Sequence, residues 1–375
     1  MTKHNVQNER IKRKYFAYLK EAQRYSEPSV DAAAKALSRF EEYNRFRDFK
    51  AFHFEQAVAF KRHLAEATAV RSGERLSKAT LHATLIQLRK FFFWLPDQPG
   101  YKGLSYSEAD YFNLSEKETR IATAHREQPS PTLEQVKHVL QTMPTATEID
   151  RRNRALVAFV LLTGARDSAI ASMKLKHIDL ALRSVFQDAR DVKTKFSKTF
   201  TTFFFPVGDE VAAVFVDWVE YLLKEKLWGG EDPLFPATAI AVGENQRFEV
   251  VGLERKHWSN ATPIRTIFRQ AFEGAGLAYF NPHSLRKTVA RLGLRTCCSA
   301  EEFKAWSQNL GHVSPLTTFT SYGAVGEDRQ GEIIRSLGDA EARSATVDSA
   351  RVLQQVLEML QRNGLNLPVP SPSLQ

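Results

Sequence analysis

The chain has 375 residues, 43% of them hydrophobic and 25% charged. That is too long for one ordinary core and typical in composition of a folded protein, so two domains are expected. Its 52 Lys and Arg against 43 Asp and Glu give a formal net charge of +9, which suits a polyanion partner without requiring one. Two adjacent cysteines, Cys297 and Cys298, argue against a disulfide-stapled secreted fold, and no stretch is long and apolar enough to span a bilayer.

The start, Met1-Thr2-Lys3-His4-Asn5, is polar and lacks the apolar core of a signal peptide. A soluble protein of a reducing, cytoplasmic compartment is therefore expected. Residues 1–130 hold 23 of the basic residues and 16 of the acidic ones, so most of the basic excess lies in the N-terminal third. Residues 1–28 read as a basic N-terminal arm, helical over its first 20 or so residues. Residues 29–67 read as helix. Leu81, Leu85, Leu88, Phe92 and Leu95 recur at steps of four and three, one face of a helix that Ser77 would cap and Pro96 and Pro99-Gly100 would stop. Phe91-Phe92-Phe93-Trp94 lies inside that pattern and reads as helix core rather than as a base-stacking platform.

Gln128-Pro129-Ser130-Pro131 has the composition of a linker. Thr132-Leu133-Glu134-Gln135 follows as a capping box, with Val136, Val139 and Leu140 as the buried stripe. Residues 29–127 are thus expected to form one helical domain, 128–131 a linker and 132–345 a second domain. In that second domain a helix over 150–162 ends at Thr163-Gly164, and a short one over 169–175 leads to Ile178-Asp179. Residues 184–205 read as strand material with a turn near Phe196-Ser197-Lys198. Helices are expected at 207–226, 262–275, 283–295 and 300–310. Residues 346–375 are expected to hold a separate amphipathic helix, with Val352, Leu353, Val356, Leu357 and Leu360 on one face, and a proline-rich tail.

The second half carries a set of chemistry-bearing residues in a fixed order: Arg166, then Lys193, Lys195 and Lys198, then His283 and Arg286, then His312 and Tyr322. Two arginines, two histidines, a lysine and a tyrosine can hold and attack one phosphodiester. Guanidinium stays charged and grips phosphate oxygens bidentately. A tyrosine can serve as nucleophile, and a lysine can protonate the leaving 5′ oxygen. His283 and Arg286 lie at i and i+3, one face of a helix. Tyr322 is the only tyrosine after Tyr279.

Thr163-Gly164-Ala165-Arg166 through Ile170, Leu175 and Ile178-Asp179, then His283-Ser284-Leu285-Arg286, Leu310-Gly311-His312, and Thr317-Thr318 before Tyr322 together resemble the tyrosine recombinases, or phage integrase family, over residues 130–335. The fold implied is mainly α, with a small antiparallel β-sheet in an α+β catalytic domain and a helical core-binding domain before it, the two closing on duplex DNA as a clamp. The activity implied is site-specific recombination through a 3′-phosphotyrosine at Tyr322. Arg166, His283, Arg286 and His312 would hold the phosphate. The family's lysine sits at a β-hairpin turn; Lys195, at the expected end of the first strand, is preferred, with Lys193 and Lys198 as alternatives that would otherwise face the DNA backbone. Lys78, Arg89 and Lys90 are the expected DNA contacts of the helical domain. Ala169 departs from the family, which usually carries an acidic residue there to support the arginine; either Asp167 compensates or the support is absent.

No metal or nucleotide cofactor is implied, because the arginines supply the positive charge. The partners implied are double-stranded DNA and, in a homotetramer on paired sites, three further copies of the chain. Accessory proteins are left open, and the C-terminal helix is the segment that would dock on a neighbour. Two rival readings use the same residues: a type IB topoisomerase that relaxes DNA as a monomer, and a DNA-binding protein with a decayed site.

Overall fold

The computed structural model describes residues 4–68, 73–124, 129–243 and 245–312. The chain divides into two compact units, residues 1–125 and 126–375. The expected helix within 346–375, the expected docking of that helix, and Tyr322 all lie outside the described residues.

The first unit is helical. Helix α1 (Val6–Ala17) starts at Asn5, whose side chain accepts from the amides of Gln7 and Asn8, and continues into a wider turn at Tyr18–Ala22. Ile11, Tyr15 and Leu19, four residues apart, are buried in the unit's core, so the residues read as an arm are an integral part of the domain. Buried Asn8 ties α1 down: its amide donates to Glu41 Oε1 and to the Arg47 carbonyl, and its oxygen accepts from the Phe49 amide.

The helix expected over 29–67 is two helices, α2 (Glu27–Tyr43) and α3 (Phe54–Glu66). Between them Arg45 and Phe46 take φ values of 56° and 58°, a left-handed pair that no right-handed helix can carry. The break turns Phe49 and Phe52 into the core. Helix α4 (Lys78–Trp94) is capped by Ser77, which accepts from the Thr80 amide. Phe91 and Phe92 are buried against Phe40, Phe49, Phe52 and Phe112, whereas Phe93 is exposed. The aromatic run is therefore mostly core, as its helical spacing predicts. Short helices α5 (Tyr106–Ala109) and α6 (Glu116–Thr123) complete the unit.

The second unit opens with α7 (Leu133–Thr142), started by the reciprocal Thr132–Gln135 capping box that the sequence predicts. Helix α8 (Glu148–Thr163) is apolar on every side from Ala155 onward and forms the centre of the core. Helix α9 (Asp167–Ile170) is short and leads through a tight turn at Leu175–His177 into a three-stranded antiparallel sheet: β1 (Ile178–Asp179), β2 (Ser184–Gln187) and β3 (Phe200–Phe203), in that order. The β2–β3 register pairs Val185 with Thr202 and Gln187 with Phe200.

Strand β2 stops at Gln187, well short of the lysines. Residues 188–199 form a folded loop, and Lys195 opens a tight turn within it (Lys195–Ser197) instead of ending a strand. Asp188 is the physical reason: its carboxylate turns back onto the Arg190 amide and guanidinium, a local bond that ends strand pairing.

Helix α10 (Asp209–Glu220) follows, then a hairpin unanticipated from sequence, β4 (Ala237–Val242) and β5 (Phe248–Glu254). Helices α11 (Thr262–Gly274), α12 (Pro282–Thr296) and α13 (Ala300–Asn309) close the described part. Among the described residues no helix is long and apolar enough to cross a membrane.

Candidate active site

Three sequence-distant segments meet at one guanidinium. Arg286 lies on α12, two residues past buried Ser284, whose amide is capped by Asn281. Its side chain is 5% exposed. Nη1 donates to the carbonyl of Gly164 at 2.8 Å, and Nη2 donates to the carbonyl of Leu310. The first carbonyl lies two residues before Arg166 and the second two residues before His312. Arg286 thereby binds together the three motifs that sequence reading treats separately.

Two glycines make that convergence possible. Gly164 ends α8 with φ 59°, and a Cβ there would stand 2.8 Å from Leu310 Cδ2. Gly311 has φ 70°, and a Cβ there would stand 2.6 Å from the ring of Phe200 on β3. Both positions combine a left-handed backbone with a close approach, which glycine alone meets without strain.

Arg166 precedes α9 and is half-buried. Asp167, the candidate for its acidic support, does not take that place. Ala169 is buried in the core, and the carboxylate of Asp167 goes to Arg265 on α11, at 2.7 and 3.0 Å. Asp167 therefore holds α9 to α11.

Both histidines feel the positive charge of both arginines. His312 is pushed down to about 3, first by loss of solvent and then by the positive charges of Arg286, Arg166 and Lys198. His283 is lowered in the same direction, first by desolvation and then by Arg286 and Arg166, although the residue is exposed. In the free protein both imidazoles are neutral at neutral pH, able to donate one hydrogen bond and accept another. Of the three candidate lysines, Lys198 has its charge acting on His312; Lys193 and Lys195 are exposed on the same loop.

Asn309 is a site residue that sequence reading missed. Its side chain pairs with the backbone of β3 as a further strand would: Oδ1 accepts from the Phe203 amide at 2.7 Å and Nδ2 donates to the Phe203 carbonyl at 2.8 Å. Its own carbonyl accepts from Thr202. This fixes the end of α13, and so His312, to the strand that leaves the lysine loop. A cavity of 610 Å³ opens there, lined by Lys198, Phe200, Asn309, Gly311 and His312 among others. The only signal for Asn309 in the sequence is its place directly before Leu310-Gly311-His312.

In the helical unit Lys78 and Lys90 are exposed. Lys90 lies over the ring of Tyr25, and Arg89 is paired with Asp110 at 2.8 Å and lies over Phe93.

A model of the phage integrase family matches residues 131–327. The chain belongs to the phage integrase family. It is thus a tyrosine-type DNA recombinase, and the match spans the segments joined at Arg286. No curated protein gives a sequence match. Solved structures of similar fold include a lambda integrase dimer bound to a COC′ core site, 14% identical with a TM-score of 0.56 over 86% of this chain and 79% of that one. The XerH site-specific recombinase bound to palindromic difH substrate is 17% identical, with a TM-score of 0.56 over 88% of this chain and 85% of that one. The Tn1549 transposon integrase in complex with transposon right end DNA is 12% identical, with a TM-score of 0.52 over 88% of this chain and 99% of that one. At these identities the likeness is one of fold: a helical unit followed by a recombinase catalytic unit.

Proposed function

We propose that this integrase-family protein cuts and rejoins duplex DNA at specific sites, with Tyr322 as the nucleophile. The phenol oxygen attacks the scissile phosphorus, its proton passing to His283. The bond to the 5′ oxygen breaks, leaving a 3′-phosphotyrosyl link. The 5′ oxygen takes a proton from a lysine of the 188–199 loop, for which Lys195 remains the choice, with Lys193 and Lys198 beside it. Rejoining is the same step reversed, with a 5′ hydroxyl of the partner strand attacking. One phosphate ester replaces another, so no external energy source is needed. Arg166 and Arg286 neutralise the charge that grows on the non-bridging oxygens, and His312 donates a hydrogen bond to them.

The observation that carries this reading is the pair of hydrogen bonds that Arg286 donates to the Gly164 and Leu310 carbonyls. It ties one buried cation to the backbone of the segments that carry Arg166 and His312. A site built for binding alone has no need of two neutral histidines beside two arginines.

Duplex DNA as the partner is supported by the DNA-bound state of the lambda integrase and XerH structures. Lys78 and Lys90 are offered as phosphate contacts of the helical unit. Arg89 would reach DNA only by exchanging Asp110 for a phosphate. Four copies on two paired sites are proposed, with strands exchanged in pairs.

The test uses two DNA molecules carrying the sequence that flanks the encoding locus, one supercoiled and one linear. Recombinant products in the presence of the protein are expected. Relaxed circles without recombinants would replace this reading with a topoisomerase, and tight binding with no strand cleavage would replace it with a decayed site.

A further inference from the structure

The lysine loop is bolted to the segment that follows Arg166 by side chains with no place in the reaction above. We propose that Asp191 and Ser172 are positioning residues for the leaving-group acid: they fix the base of loop 188–199 so that its lysine meets the phosphate held by Arg166 and Arg286. This rests on the recombinase reading.

The carboxylate of Asp191 is shared between two lysines. Oδ1 accepts from Lys174 at 3.1 Å and Oδ2 from Lys176 at 2.7 Å. Glu231 holds the same two ammonium groups from outside, at 2.8 Å each. Bonds to Lys176 and Lys174 keep the Asp191 carboxyl far below the usual carboxylate range. Buried His177 closes the cluster, with Nε2 3.7 Å from Asp191 Oδ2.

Lys174 and Lys176 stand on a rigid base. The Leu175 and Lys176 amides donate to the carbonyls of Asp232 and Gly230, and the Leu234 amide donates back to Met173. Asp191 thus fastens the loop to a braced segment that begins a few residues after Arg166.

The next two residues continue the attachment. Val192 is buried in the core, and its amide donates to the Asp188 carbonyl at 2.7 Å. The Lys193 amide donates to Ser172 Oγ at 2.9 Å, and Ser168 Oγ donates to the Lys193 carbonyl. Both serines belong to the α9 turn that Arg166 opens, and Ser172 is itself oriented by donating to the Ala169 carbonyl. Beyond Lys193 the loop closes on itself, with Thr194 Oγ1 donating to the Lys198 carbonyl and the Ala189 amide donating to Thr199 Oγ1. Ion pairs this open to solvent add little to stability. Misplacing a catalytic group by about 1 Å, however, can cost roughly 10²-fold in rate. A loss of Asp191 is therefore expected to appear in proton delivery more than in folding.

The experiment compares two nicked site DNAs with the full chain. One carries the normal 5′ oxygen at the scissile bond; the other carries sulfur there, which leaves as a thiolate and needs no proton. Asp191→Asn keeps the shape of the side chain and weakens both ion pairs. It is expected to slow cleavage of the oxygen substrate roughly 10- to 100-fold and that of the sulfur substrate far less, with DNA binding unchanged. Ser172→Ala is expected to show the same pattern more weakly. One of Lys193→Ala, Lys195→Ala and Lys198→Ala is expected to show it most strongly. Equal slowing of both substrates by Asp191→Asn, or no slowing, overturns the positioning role while a rescued lysine variant keeps the recombinase reading. If no lysine variant is rescued by sulfur, the lysine assignment fails and this inference with it.

Discussion

At Arg286 the cation proposed to hold the phosphate is also a fastener, bonded to the carbonyls of Gly164 and Leu310. Its donation to two backbone carbonyls explains why His283-Ser284-Leu285-Arg286 can be read as functional while its structural duty cannot. The spacing of His283 and Arg286 is visible in the sequence, but a bond to the carbonyl of Gly164, 122 residues away, is not. The glycines are legible in part. A glycine after an apolar helix predicts the left-handed cap seen at Gly164, but contact with Leu310 appears only in three dimensions. His312 gives a pH prediction. Its folded pKa of about 3 lies below the ordinary 6.5. As pH falls below 6.5, the unfolded chain takes up this proton and the folded chain does not. The stability tied to neutral His312 is thus complete above pH 6.5 and is lost as pH drops toward 3. His283 shifts in the same direction. Chemical denaturation of the free protein should show His312→Gln recovering about 1 kcal/mol of the loss between pH 7 and 5.5; equal losses in both proteins would contradict the depressed pKa.

At the scale of elements, the helices are legible in the sequence and the sheets much less so. Capping boxes and stripes, such as Thr132 to Gln135 and Leu81 to Phe92, are local, and local bonds decide them. Two departures come from backbone geometry that carries no apolar signal. The left-handed pair Arg45 and Phe46 splits the helix expected over 29–67. Asp188 folds back onto Arg190 and ends β2 before Lys193 and Lys195 are reached. The β4–β5 hairpin escapes sequence reading because its strands carry no alternating buried face: Ile240, Val242, Phe248 and Val250 are all exposed. Asn309 shows how an element can be placed by one side chain. Asn309→Ala removes both bonds to Phe203 and leaves β3 backbone groups unpaired. Thermal unfolding should show a loss of about 1–3 kcal/mol, and cleavage should fall further than DNA binding, because His312 and the lysine strand lose their common anchor. Unchanged cleavage would show that α13 and β3 are held together by other contacts.

Over the whole molecule, the order of motifs is the strongest sequence signal, and the family match at residues 131–327 agrees with it. The helical unit is legible only as helices, since its core of aromatic rings says nothing of DNA. The role proposed for residues 346–375 is in assembly. If the apolar face of Val352, Val356 and Leu360 docks on a neighbour, deleting 346–375 should leave binding to a single site near normal and abolish higher complexes on paired sites in native gels. Complexes of unchanged size would make that segment dispensable for assembly. The proposed chemistry turns on a phosphate being transferred to Tyr322. The direct measurement is to trap the protein on a nicked site DNA, digest both polymers and locate the nucleotide adduct by mass spectrometry. A 3′-phosphoryl adduct on Tyr322, absent from Tyr322→Phe that still binds DNA, is predicted. An adduct on another residue, or one that persists in Tyr322→Phe, would contradict it.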